Sequence, residues 1–175
     1  MPENIAIITW WSGSGKSVLQ QELEKRGWKS PLNFSTREAR DDSELDNYVF
    51  LTKKQFDFKL SKGDFLENME FNWNSYGISR FLPLLTNIAI VVDIEGREQL
   101  IKKFHADGVK YKTFFIDLDR ETQVKRMRKR GDSTLQIEER IKKDLYFPTP
   151  DCILLDWLND TDVLADIIED SYGKV

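Results

Sequence analysis

The first residues with chemistry in them follow a short apolar run. Ile5-Ala6-Ile7-Ile8-Thr9 is mostly β-branched and reads as a buried strand. It leads through Trp10-Trp11-Ser12-Gly13-Ser14-Gly15 to Lys16-Ser17, where a helical pattern begins. Strand, small glycine-bearing loop and helix, in that order, are the setting of a phosphate-binding P-loop. The N–H groups from Gly13 to Ser17 can curl around an anion, and the positive end of the helix adds to their field. Lys16 would reach the β- and γ-phosphates of ATP, and the Ser17 hydroxyl would ligate Mg²⁺. The cofactor-binding stretch is therefore Ser12, Gly13, Ser14, Gly15, Lys16, Ser17 and Val18. The plain alternative is a Ser/Gly turn joining a strand to a helix. One position breaks the pattern, because Trp10 stands where G-x-x-x-x-G-K-[ST] has its first glycine. A bulky residue at positive φ is an outlier. Trp10 either keeps an ordinary negative φ, with its indole on the sheet or over a nucleotide, or stores strain of about 1–3 kcal/mol.

A second group lies between the first helix and residue 76. Arg37, Arg40, Tyr48, Glu67 and Tyr76 all fall near strand ends or in loops. Two guanidinium forks and two phenols suit a second phosphate, since the fork matches phosphate oxygens bidentately. A carboxylate such as Glu67 can accept two N–H bonds from a purine edge with adjacent donors. The pattern alone leaves open that these arginines are surface ion pairs with Asp41, Asp42 and Glu44. A third group is basic. Arg126 and Arg130, four apart, share a helix face, and Arg140 comes from the next helix. The three can converge on a transferring phosphoryl group, whose charge spreads over its oxygens. Lys125, Arg128 and Lys129 read as a solvated face. His105 reads as a cation at a helix C-terminus, and no second His or Cys stands where a zinc site needs one. Trp73 and Trp157 read as core or domain-contact residues rather than stacking platforms.

These groups are positioned by alternating elements. Ser17 to Arg26 reads as a helix with Val18, Leu19 and Leu23 inward. A short strand is expected over Trp28 to Phe34 and another over Tyr48 to Leu51. Thr52 and Gln55 form a capping box for the next helix, with Leu51 stapled to Phe56. Gly63 ends that helix, and Phe65 to Phe71 alternates like a half-buried strand. The continuous run Ile88-Ala89-Ile90-Val91-Val92, closed by Asp93, is expected as a central parallel strand covered on both faces. A helix from about Gly96 to His105 and a strand over Tyr111 to Ile116 follow. Asp119 caps a helix ending at Gly131, and Ser133 with Gln136 boxes the next, striped by Ile137, Ile141 and Leu145. Cys152 to Leu155 is strand-like, and the last helix packs through Val163, Leu164, Ile167 and Ile168. Strands alternating with helices predict an α/β fold with a parallel sheet.

With 175 residues, 40% of them hydrophobic and 32% charged, the chain suits one globular domain. A net charge of −4 supplies no basic field for general nucleic-acid binding. The one cysteine, Cys152, excludes an internal disulfide and suits a reducing compartment. No apolar stretch approaches the roughly 20 residues that span a bilayer, and the first strand starts at once, leaving no room for a signal peptide. A soluble, cytoplasmic protein is expected.

The chain resembles the guanylate kinase family over most of its length. The matching pieces are Ser12-Gly13-Ser14-Gly15-Lys16-Ser17; Ser35-Thr36-Arg37 with Arg40; Asp46-Asn47-Tyr48-Val49-Phe50; Gly63-Asp64-Phe65-Leu66-Glu67; Tyr76-Gly77; Val92-Asp93-Ile94; and Arg126-Met127-Arg128-Lys129-Arg130-Gly131, then Arg140. The resemblance implies one domain: a P-loop NTPase-type parallel sheet flanked by helices (1–32, 80–125 and 145–175), a small inserted sheet that binds the nucleoside monophosphate (about 33–79), and a helical lid (about 126–144). It places Arg37, Arg40, Tyr48 and Tyr76 at the acceptor phosphate, Glu67 on guanine, and Asp93 at the acidic position ending the central strand. Asn33 and Ile78 stand where the family usually has guanine-contacting hydroxyls. The implied reaction is ATP- and Mg²⁺-dependent phosphorylation of GMP or dGMP, with Lys16, Arg37, Arg126, Arg130 and Arg140 catalytic. The rival readings are a degenerate guanylate-kinase-like module that binds a phosphorylated partner, and a P-loop kinase for another small acceptor.

Overall fold

The computed structural model describes residues 2–11, 16–39, 42–46, 48–84, 86–129, 131–143, 153–156 and 160–173. In chain order the elements are β1 (Ile5–Trp10), α1 (Lys16–Lys25), β2 (Asn33–Ser35), a short 3₁₀ turn (Asp42–Asp46), β3 (Tyr48–Phe50), α2 (Lys53–Ser61), β4 (Phe65–Phe71), β5 (Asn74–Ser79), β6 (Ile88–Val91), α3 (Ile94–Ala106), β7 (Lys112–Asp117), α4 (Arg120–Lys129), α5 (Thr134–Lys143), β8 (Ile153–Asp156) and α6 (Thr161–Ser171).

The apolar, β-branched strands build the main sheet. Its order is β6-β1-β7-β8, and every pairing is parallel. Alternate residues of β1 feed two cores, as the period of two requires. Ala6 and Ile8 pack with Leu19, Leu23, Phe114, Leu164 and Ile168 on the side of α1 and α6. Ile5 and Ile7 pack with Ile88, Ile90, Leu100 and Phe104 on the side of α3. The expected P-loop NTPase-type sheet between helices is thus present, but the strand expected at its centre is elsewhere. β6 is covered on both faces and still stands at the sheet edge, and β1 and β7 are central. Lys29 covers that edge: its N–H donates to Asn87 O at 2.8 Å, and Ala89 N–H donates to Lys29 O at 3.0 Å. An edge sealed by a single bridging residue can be as apolar as an interior strand. The expected strand over Trp28 to Phe34 reduces to this bridge and to β2.

A second sheet, β3-β2-β5-β4, is mostly antiparallel. Its small core is Phe34, Phe56 and Phe65, with Leu51 packed against it, so the expected staple to α2 forms. Both capping boxes form as well. Thr52 accepts from Gln55 N–H while the Gln55 side chain accepts from Thr52 N–H; Ser133 and Gln136 do the same at 3.3 and 2.8 Å. Asp119 caps α4 by accepting from Thr122 N–H at 2.9 Å.

Three apolar side chains are not where the sequence places them. Val18 is 51% and Val163 40% exposed. Leu19 and Leu23 are four apart and own the inner stripe of α1, which turns Val18 outward; Leu164 and Ile168 do the same to Val163 on α6. Trp73 is neither core nor domain contact. It lies fully exposed at the β4–β5 hairpin tip, where it and Asn72 have φ of 64° and 48°. A two-residue hairpin of type I′ needs positive φ at both positions, and Trp73 occupies the one where glycine is usual. Trp157, Leu145 and Cys152 lie outside the described residues.

Candidate active site

The site is built at the C-terminal ends of the main-sheet strands and across the small sheet. α1 begins at Lys16, six residues after the end of β1, so Ser17 lies in its first turn. That is the placement a P-loop lysine and a Mg²⁺-ligating hydroxyl require. Ser12, Gly13, Ser14 and Gly15, and the side chains of Lys16 and Ser17, lie outside the described residues. Trp10 is settled. It is the last residue of β1, extended and paired in register with Ile116, and its partly buried indole packs on the core shared by α1 and α6. Its backbone needs no positive φ, so the strained alternative falls. Trp11 meets Phe115 edge-on at 4.8 Å between ring centres.

The small sheet gathers the second group. β2, β5 and β3 place Ser35 opposite Tyr76 and Asn33 opposite Tyr48. Arg37, two residues past Ser35, has its guanidinium carbon 5.4 Å from the centre of the Tyr48 ring and 5.3 Å from that of Phe50. The Tyr76 and Tyr48 phenols are close enough to strengthen its hold on a proton, after the larger effect of a Glu44 carboxylate. Glu44 binds Arg37 bidentately, with Nη1 to Oε2 and Nη2 to Oε1 both at 2.7 Å. The ion pair that the pattern left open as the plain alternative is therefore real, and it sits inside the cluster of Arg37, Tyr48 and Tyr76. Arg40 lies outside the described residues.

Glu67, on β4, is 4% exposed. Among the described residues no group donates a hydrogen bond to it. Burial, and then the nearby Asp93 carboxylate, push its pKa up to about 7. Its seat is made by α3. Asp93 caps that helix, accepting from Gly96 N–H at 2.8 Å, and a Cβ on Gly96 would lie 3.1 Å from Glu67 Cδ and Oε1. Only a glycine lets the carboxylate lie so close to the helix. Three residues after Gly96, Gln99 brackets the β4 backbone: its Nε2 donates to Asn68 O at 3.1 Å and its Oε1 accepts from Asn68 N–H at 3.4 Å. The small sheet is thereby fastened to the main one at the base of Glu67.

A scan of family models matches residues 3–146 to guanylate kinase. A guanylate kinase of Prochlorococcus marinus is 32% identical over 152 residues, which cover 81% of this chain and 77% of that protein. One from Carboxydothermus hydrogenoformans is 27% identical over 180 residues, covering 98% and 84%. The chain belongs to the guanylate kinase family. Two solved structures share its fold. A guanylate kinase from Anaplasma phagocytophilum has a TM-score of 0.68 at 20% identity, covering 98% of this chain and 87% of its own. A gluconokinase from Sinorhizobium meliloti has a TM-score of 0.53 at 13% identity, covering 97% and 95%.

In this guanylate kinase family member the two positions that depart from the family's pattern have different fates. Ile78 is 5% exposed and turned into the core with Ile5, Ile7 and Ile88. Asn33, opposite it, donates Nδ2 to Pro31 O at 3.3 Å. Arg126 is half-buried on α4 and Arg140 lies on α5, its Nε 3.8 Å from Asp132 Oδ2. The two helices pack on each other, and Arg130 lies outside the described residues. Val18, exposed in the first turns of α1, touches neither core. Gly96, Gln99 and Glu44 are the residues that the sequence did not single out for the site. A glycine three residues after the helix cap was the one available signal, and it pointed only to close packing.

Proposed function

We propose that the protein transfers the γ-phosphoryl group of ATP to the phosphate of GMP or dGMP, giving ADP and the nucleoside diphosphate. The observation that carries this reading is Glu67, a largely buried residue whose carboxylate accepts from no donor among the described residues. Burial and the Asp93 carboxylate disfavour its charge, and the adjacent N1–H and N2–H groups of guanine would supply two donors that favour the anion. Arg37, two residues past β2, with Tyr48 and Tyr76 of the small sheet, holds the acceptor phosphate, a role that Arg40 shares. Asp93 caps α3 and so fixes the turn against which Glu67 rests. Lys16 and the loop amides from Ser12 to Ser17 hold the ATP phosphates. Ser17 would hold Mg²⁺, which would neutralise charge on the transferring phosphate when bound. Arg126, Arg130 and Arg140 close a lid of about residues 126–144 over the γ-phosphoryl, while residues 33–79 carry the acceptor. Closure of both excludes water, which otherwise competes as acceptor. A reducing, cytoplasmic setting accords with the lone Cys152.

A coupled ADP-release assay across GMP, dGMP, AMP, IMP, CMP and gluconate tests the reading. GMP and dGMP are expected to exceed the others by at least a hundredfold in kcat/KM, and Lys16→Ala to lower kcat by about a hundredfold or more. Equal rates for all nucleotides would remove Glu67 as base reader. Near-wild-type turnover in Lys16→Ala would remove the P-loop assignment.

A further inference from the structure

We infer that Glu44 is an internal stand-in for the acceptor's phosphate, held in the Arg37 fork until the phosphate monoester displaces it. This rests on the reading of Arg37 as an acceptor-phosphate ligand. Four observations support it. The fork is doubly filled, since both terminal nitrogens of Arg37 meet the two carboxylate oxygens at 2.7 Å. A bidentate phosphate needs that same face of the guanidinium, so the two anions exclude one another. The plane of the fork is fixed independently of Glu44. Nη1 also donates to Glu38 O at 2.8 Å, and the Tyr48 and Phe50 rings, stacked at 5.9 Å and 21°, stand beside the guanidinium. The pair is largely withdrawn from water, with side chains 14% and 17% exposed, where a guanidinium without an anion is costly. Finally, Glu44 is carried on a single 3₁₀ turn, Asp42–Asp46, outside either sheet. Such a turn has poorer hydrogen-bond geometry than an α-helix and can withdraw its glutamate without unpairing a strand.

The direction of exchange follows from charge. A phosphate monoester carries about −1.5 to −2 at neutral pH against −1 for the glutamate, and the same fork accepts either. Glu44 therefore keeps the cation desolvated, pointed and occupied, and its cost appears in acceptor affinity, since the apparent Kd rises as the share of protein with an open fork falls.

The experiment compares wild type with Glu44→Gln and Glu44→Asp. A neutral amide of the same size releases the fork. Glu44→Gln is expected to lower KM for GMP about two- to fivefold, the range of a modest ion pair, with KM for ATP unchanged. Calorimetry with inorganic phosphate should show the same gain, and guanosine, which carries no phosphate, should bind all three proteins equally. Glu44→Asp, too short for two bonds, should fall between. In unsubstituted protein the ¹³C signal of the Glu44 carboxylate should move toward its solvent-exposed value as GMP is added, so the inference is tested even if Glu44→Gln fails to fold. A rise in KM for GMP, or no change in it, together with a stationary Glu44 signal, overturns the inference: Glu44 would then stay on Arg37 in the complex. Should wild type turn over no GMP at all, the proposed reaction fails, whereas the phosphate calorimetry still decides the role of Glu44.

Discussion

Replacing Glu67 by glutamine separates the stability of this fold from its activity. In the folded protein the carboxyl has a pKa of about 7, against 4.5 for an ordinary glutamate, because burial and then Asp93 disfavour its charge. Between those two values the folded state holds a proton that the unfolded state has lost. The favourable contribution of the neutral acid is fully present below pH 4.5 and is lost as pH rises through 7. A shift from 4.5 to about 7, at 1.36 kcal/mol per unit, amounts to about 3 kcal/mol by pH 8. Glutamine keeps the shape and carries no charge. Glu67→Gln should match wild type in stability near pH 4.5 and exceed it by up to about 3 kcal/mol at pH 8, or about 6–12 °C in Tm for a chain of this size. Urea melts of both proteins at pH 5, 6, 7 and 8 read the difference directly. Activity should move the other way. The variant loses a charged acceptor for two guanine donors, at about 1.5–3 kcal/mol per bond, so KM for GMP should rise at least a hundredfold. In wild type the same KM should fall as pH rises from 6 to 8 and the anion becomes available. A stability gap that is constant across pH, or wild type the more stable at pH 8, would refute the reasoning.

Gly96→Ala places a methyl 3.1 Å from Glu67 Oε1. It should raise KM for GMP about tenfold and leave KM for ATP unchanged, with stability lower by about 1 kcal/mol once helix propensity is set against overpacking; steady-state kinetics and melts check both. Trp10→Gly restores the P-loop pattern but strips a core side chain from β1. It should cost about 3 kcal/mol with ATP affinity within twofold; a tenfold gain in ATP affinity would mean that the indole obstructs the loop.

Local signals were legible in the chain. Thr52 with Gln55 and Ser133 with Gln136 announce their helices because every partner lies within three residues. Strand identity was legible too, since burial on both faces leaves Ile88 to Val92 no polar position. Strand order was not. The same composition serves an interior strand and an edge sealed by Lys29, and that difference is made by a backbone about sixty residues away. β5 was missed because Asn74, Ser75 and Gly77 lack β propensity; Gly77 is there for Phe65, whose Cδ1 would be 2.9 Å from a Cβ. At the site, residue types singled out Arg37, Tyr48, Tyr76 and Glu67 as candidate ligands. The seat of Glu67 against Gly96 and the hold of Glu44 on Arg37 depend on where α3 and the 3₁₀ turn come to rest, which no spacing encodes.

The inserted sheet also sets the order in which the chain can assemble. β1 pairs only with β6 and β7, so Ile5 waits for Ile88 and Ala6 for Lys112. On the ribosome, at roughly 5–20 residues per second, the first strand made spends several seconds with both edges open while the small sheet, whose pairings span residues 33–79, can already close. The small sheet is therefore the part that can fold early, and the main sheet must nucleate last around the most apolar strand in the chain. Holdase chaperones, if they act on this protein, should be found on Ile5 to Ile8 of nascent chains shorter than about 90 residues.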